Sequence, residues 1–136
     1  METKRTMIGI PYPKKRVDVQ VGDHIVMTDH GEAGGGENLA PSMGATFLAG
    51  LVACTTSTAR GYCKLHDLPL PIKVIAEMTE DDETELITNV SFEIIVPPDF
   101  PQNRLKALVK AAETCTVKTW WMHPPQFETK AVTDTD

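Results

Sequence analysis

The sequence predicts an α+β protein, with antiparallel strands arranged around one long helix. Three observations carry this. Polar and apolar residues alternate in short stretches that come in adjacent pairs, the pattern of half-buried hairpin strands. One long segment, opened by Pro41-Ser42 and closed by Asp67-Leu68-Pro69, reads as a single helix. The resulting order is two strands, long helix, two strands, helix, short helix, strand. It lacks the repeated strand–helix–strand unit of a doubly wound sheet.

Residues 16–21 (RVDVQV) alternate and form the first strand. Gly22-Asp23 turns the chain, and His24 to Thr28 is the returning strand. Asp29 to Ala40 is a loop centred on Gly34-Gly35-Gly36. It lacks the Lys-Ser/Thr of a phosphate-binding loop and reads as a flexible connection covering the helix entrance. Ser42 is the expected N-cap of the long helix. The first half of that helix is apolar nearly all round, which requires burial. Gly44, Ala45, Ala49, Gly50 and Ala53 are small enough to let another backbone approach.

Ile72 to Met78 and Leu86 to Val96 form a second hairpin with an acidic tip, Asp81-Asp82-Glu83. A helix follows over about Pro101 to Glu113, with Leu105, Leu108, Val109 and Ala112 on one face. Thr114 to Trp121 holds a short further helix, and Gln126 to Val132 is the expected last strand.

With 136 residues, 41% of them hydrophobic and a net charge of −6, the chain is sized for one domain, residues 1–136, with a mainly aliphatic core. The acidic balance, and the absence of any basic run longer than Lys14-Lys15-Arg16, argue against a nucleic-acid surface. The longest apolar run, Met43 to Cys54, is broken by Thr46 and is shorter than the roughly 20 residues of a membrane span. The N-terminus lacks the apolar stretch of a signal peptide, so a cytoplasmic location is expected.

Three cysteines leave an odd count, which disfavours a disulfide framework. Cys54 and Cys63 are nine residues apart, about 180° around a helix, and cannot face one another. Cys63 reads as incidental. Cys54 and Cys115 each sit at a helix, where a small buried packing residue and a working thiol are both consistent with the sequence. The four histidines lie in different elements without ligand spacing, so no metal is expected. Trp120-Trp121 reads as core or interface packing, with a ligand wall as the alternative.

Two stretches bring a family resemblance. Gly35 to Ser42 (GGENLAPS) with Phe47 to Thr55 (FLAGLVACT) resembles the glycine-rich loop and first-cysteine helix of the OsmC/Ohr family, the osmotically induced and organic-hydroperoxide-resistance proteins. Ala111 to Val117 (AAETCTV) is similar to the second-cysteine motif, usually Cys-Pro-Val. The resemblance spans roughly residues 16–132. It implies an intertwined homodimer with sites at the subunit interface. Residues 1–10, outside the resemblance, are expected to form an arm that is disordered or contacts the partner. It also implies reduction of organic hydroperoxides: Cys54 attacks, Cys115 resolves, and Arg16, or Lys14 or Lys15 in its place, supplies the cation that lowers the thiol pKa.

Met43, Phe47, Leu51, Trp120 and Trp121 are the expected apolar substrate pocket. No cofactor is implied, and an external dithiol protein is the expected reductant. Two departures stand out. Gly44 or Ala45 occupies the place of the family's glutamate, and Thr116 that of its proline. The missing carboxylate favours a second reading, a catalytically weak protein that binds a small apolar ligand.

Overall fold

The computed structural model describes residues 1–134. They form two compact units, divided between Gly50 and Leu51.

The first unit holds a three-stranded antiparallel sheet in the order β1-β2-β3. Its strands are β1 (Met7–Pro11), β2 (Val17–Val21) and β3 (His24–Thr28). β2 and β3 form where the sequence placed the first strand and its returning partner. Val21 pairs with His24, which leaves Gly22-Asp23 as a two-residue turn. Gly22 takes φ 59, the left-handed conformation that such hairpin turns require. β1 is not expected from the sequence: it pairs along its length with β2, from Met7 opposite Val21 to Pro11 opposite Val17. Proline can end this edge strand because the edge position needs no further ladder donor.

The glycine loop is not a loose connection. Its organiser is Asp29, which is 1% exposed. The carboxylate accepts backbone N–H bonds from His30 (2.7 Å), Glu37 (3.2 Å) and Leu39 (3.1 Å). These bonds hold its pKa below the ordinary range, His30 contributing most and burial opposing. The Asp29 N–H donates to the Pro41 carbonyl at 3.0 Å, fastening the end of β3 to the start of the long helix. Gly36 is required by packing: a Cβ there would strike the His30 carbonyl oxygen and lie 2.7 Å from Asp29 Oδ1.

The long helix, α1, spans Met43–Leu65. Ser42 Oγ accepts the Ala45 N–H at 3.2 Å, as an N-cap should. At the other end Asp67 adopts φ 51 and the Leu68 N–H returns to the Cys63 carbonyl, closing the helix where the sequence placed its stop. The expected burial of its first half is not met within this chain, where Phe47 is 63% exposed. No heavy atom of the described residues lies within 4 Å of a Cβ built on Gly44 or Gly50, outside the local helix. The small residues are present, but the close approach they permit is not made by this chain alone.

In the second unit α1 buries one stripe, Leu51, Thr55, Ala59 and Cys63, spaced by four residues. Ala59 and Cys63 join Phe100, Leu108 and Ala112 as the core, with Leu68, Ile72, Ile94, Val96 and Leu105 around them. β4 (Lys73–Glu80) and β5 (Ile87–Ile95) form the second hairpin, with Val74 opposite Ile94 and Ala76 opposite Phe92. At its tip Asp81 accepts the N–H groups of Glu83 and Thr84. Two helices follow, α2 (Leu105–Ala112) and α3 (Thr116–Met122). The strand expected over Gln126 to Val132 is absent among the described residues. A strand needs a ladder partner, and none pairs with this segment, whose Phe127 and Val132 remain exposed.

Candidate active site

Two thiols meet where α1 passes the start of α3. The second is positioned by the way α2 ends. The Glu113 and Thr114 N–H groups bond back to Val109 and Ala111, which closes α2. Cys115 then swings to an extended conformation, φ −62 and ψ 140, as the N-cap of α3. Its Sγ accepts the Lys118 N–H at 3.3 Å, the bond a serine or aspartate makes at most N-caps. A second donor comes from α1: Thr55 Oγ1 donates to Cys115 Sγ at 3.7 Å. Cys115 is 1% exposed.

Cys54 is half-buried on α1. Its pKa lies below that of an ordinary thiol, chiefly because the Val117 backbone N–H stabilises the thiolate. Burial opposes this, while the Cys115 thiol and the Thr116 N–H add to it. Thr116 and Val117 are the first two residues of α3, whose N–H groups lack partners within the helix. A negative sulfur beside such donors is favoured. Backbone amides at the start of α3 thus supply the main lowering of the Cys54 pKa. The structure brings together the two cysteines that the resemblance paired.

Cys63 contrasts with both. It is fully buried in the aliphatic core, and burial pushes its pKa up.

Arg16 lies in the first unit with a specific partner. Its Nε and Nη2 donate to the two carboxylate oxygens of Asp18, each at 2.9 Å. The guanidinium carbon sits 4.2 Å from the Tyr12 ring centroid. Asp18 is 6% exposed, and the Arg16 hydrogen bond holds its carboxyl below the ordinary range against the opposing effect of burial. Residues two apart near a strand project to the same side, which makes the Arg-Val-Asp spelling a legible signal for this fork. Sequence reading did not single out Asp18, Thr55 or the α3 amides. Backbone donors leave no trace in residue type.

Within the second unit a cavity of about 280 Å³ is lined by Thr55 and Lys118 together with Phe92, Ile94, Leu105 and Leu108. None of the five residues expected to form an apolar pocket lines it. Met43 and Phe47 lie on the exposed half of α1, Leu51 is buried, Trp120 is exposed and Trp121 is half-buried. The wall of this cavity comes mainly from β5 and α2. Among the described residues no group of three His, Cys, Asp or Glu side chains gathers in a way that could hold a metal ion.

Fold and thiol pair define an α+β protein with a candidate cysteine redox site. The family model for OsmC-like proteins matches residues 34–130. The chain belongs to the OsmC-like protein family. No curated protein matches it in sequence. Solved structures share its fold. An osmotic stress induced and detoxification response protein from Psychrobacter arcticus superimposes with a TM-score of 0.74 at 13% identity, covering 88% of this chain and 89% of that one. An OsmC-like protein from Mycoplasma pneumoniae gives 0.70 at 14% identity, over 91% of each chain. The organic hydroperoxide resistance protein OsmC from Legionella pneumophila gives 0.60 at 20% identity, over 86% of this chain and 88% of that one. No helix among the described residues is long and apolar enough to cross a membrane.

Proposed function

We propose that this chain is a thiol peroxidase that reduces organic hydroperoxides through Cys54 and Cys115. The observation that carries the reading is the placement of two thiols at the start of α3, where Cys115 is the N-cap and the Val117 N–H lowers the Cys54 pKa. The Cys54 thiolate attacks one peroxide oxygen, the O–O bond breaks, and the alkoxide leaves with a proton as an alcohol. Cys54 becomes a sulfenic acid. The Cys115 thiol displaces its hydroxyl, releasing water and forming a disulfide. A dithiol protein then returns both sulfurs to the reduced state by exchange. Arg16 is the cation of this reading, with its plane fixed by the Asp18 fork.

The working unit in this proposal is a homodimer in a reducing, cytoplasmic setting. Its support is apolar surface that one chain leaves exposed: Phe47 on α1, and Ile75 and Met78 on β4. The Legionella relative's name, organic hydroperoxide resistance protein, points to the same substrate class.

A second reading is binding of a small apolar ligand without turnover, and the cavity beside Thr55 favours it. Thiol counts before and after one equivalent of cumene hydroperoxide separate the two. Rapid loss of two thiols in the wild type and of none in Cys54→Ser supports the peroxidase. Loss no faster than that of free cysteine rejects it in favour of the ligand-binding reading.

A further inference from the structure

The return of the disulfide to two thiols poses a question of order, because an incoming thiolate attacks one sulfur and expels the other. Access and stabilisation of the departing sulfur decide which. The answer builds on the two-thiol reading above.

Access separates the pair sharply. Cys54 is partly exposed, whereas Cys115 is 1% exposed. The neighbouring cavity does not reach Cys115. Its wall includes Thr55 and Lys118, the two residues that donate to Cys115, but not Cys115 itself.

The departing charge also has a place to go. The Lys118 N–H stands 3.3 Å from Cys115 Sγ and the Thr55 hydroxyl 3.7 Å from it. The Thr55 bond is a departure from its surroundings. Thr56 and Thr58, on the same helix, donate to the carbonyls four residues back, of Val52 and Cys54. Thr55, 4% exposed, instead spends its hydroxyl on a sulfur sixty positions along the chain.

We infer that a dithiol reductant attacks Cys54, that Cys115 is the first sulfur to leave, and that Thr55 is the residue that positions and receives the departing Cys115 sulfur. In the first exchange the reductant thiolate bonds to Cys54 Sγ. The Cys54–Cys115 bond breaks with its electron pair going to Cys115, which takes up a proton. In the second, the reductant's other thiol, as thiolate, attacks its own bound sulfur. Cys54 then leaves toward the Thr116 and Val117 amides, and the reductant departs as a disulfide, two electrons oxidised. Each protein sulfur leaves once, and each leaves toward its own set of donors.

The test uses the full chain, oxidised with diamide so that the disulfide forms without any peroxide. A brief exposure to 2-mercaptoethanol, a quench with N-ethylmaleimide and peptide mapping follow. The expected product carries mercaptoethanol on Cys54 and maleimide on Cys115; the reverse labelling overturns the order. With dithiothreitol, Thr55→Val should be reduced about five- to tenfold more slowly than wild type, and Thr55→Ser should restore the rate. Equal rates for Thr55→Val and wild type remove Thr55 from the step. If diamide forms no Cys54–Cys115 bond, or the bond resists both thiols, the inference fails entirely. A chain that ignores hydroperoxides yet shows the expected labelling would sink the peroxidase proposal and leave this one standing.

Discussion

Cys54 and Cys63 share a helix and differ in almost everything that governs a thiol. Around Cys54 the chain directs backbone N–H groups and a second thiol at the sulfur, and the thiolate is favoured. Around Cys63 it packs Ala59, Phe100, Leu108 and Ala112, and the thiolate is penalised. Both side chains are small, both lie on α1, and neither has a cation among the groups that dominate its shift. What separates them is whether another helix begins against the sulfur. Reactivity here is written into the start of α3 as much as into α1.

The largest expected effect comes from removing each sulfur in turn. Cys54→Ser should lower hydroperoxide consumption by about a thousandfold or more, because a hydroxyl at that position is not ionised near neutral pH. Cys63→Ser should leave turnover within about twofold and act on stability instead, since it buries a hydroxyl in an aliphatic core. Steady-state peroxide consumption with dithiothreitol as reductant, read beside thermal melts, checks both. Comparable activity losses in the two variants would erase the distinction.

The seat of Cys63 can be broken directly. Phe100 is 2% exposed and belongs to the same core. Phe100→Ala should cost about 3–5 kcal/mol in chemical denaturation. It should also make Cys63 accessible to iodoacetamide under native conditions, while Cys54 keeps its reactivity.

Titration sharpens the contrast without mutation. Alkylation of Cys54 should gain its thiolate-dependent rate at a pH below the ordinary thiol range, and Cys63 only above it. At neutral pH the ratio of the two rates should be roughly a hundredfold, read by peptide-resolved alkylation from pH 5 to 10. Stability follows with opposite signs. The depressed pKa of Cys54 adds stability as pH rises from its folded value to the unfolded one, where the unfolded chain binds more protons. The raised pKa of Cys63 removes stability once pH exceeds the unfolded thiol value, where the folded chain binds more.

The sequence made this arrangement legible only in part. β2, β3, the second hairpin, α1 and both its ends follow from alternation, Ser42 and the Asp67-Leu68-Pro69 stop. β1 escaped because Met-Ile-Gly-Ile does not alternate in polarity. Gln126 to Val132 has a strand-like spelling, but a ladder partner is not a property of one segment. Likewise Asp29 reads as a polar turn residue, and only the folded loop reveals that three amides converge on it. At the site, family motifs pointed to Cys54 and Cys115. The Lys118 amide on Cys115 is a local N-cap bond, but the Thr55 hydroxyl comes from sixty positions away, which no local pattern encodes.

The smallest expected effect tests the α3 donors themselves. Thr116 is the first residue of α3, where proline is well tolerated because its missing N–H has no partner in the helix. The preceding Cys115 is already extended, at ψ 140, as a residue before proline prefers to be. Thr116→Pro should therefore fold without strain and gain about 0.4–1 kcal/mol from the stiffer unfolded chain. It also restores the Cys-Pro-Val spelling that this motif resembles. Yet it deletes one of the N–H groups that favour the Cys54 thiolate, so the thiol pKa should move up and alkylation at neutral pH should slow by about twofold to fivefold. The Val117 N–H, the larger contributor, stays in place and keeps the loss small. A variant that melts higher and alkylates more slowly would show that amide donation sets the reactivity of Cys54. A higher melting point with unchanged alkylation would mean that Val117 and Cys115 suffice.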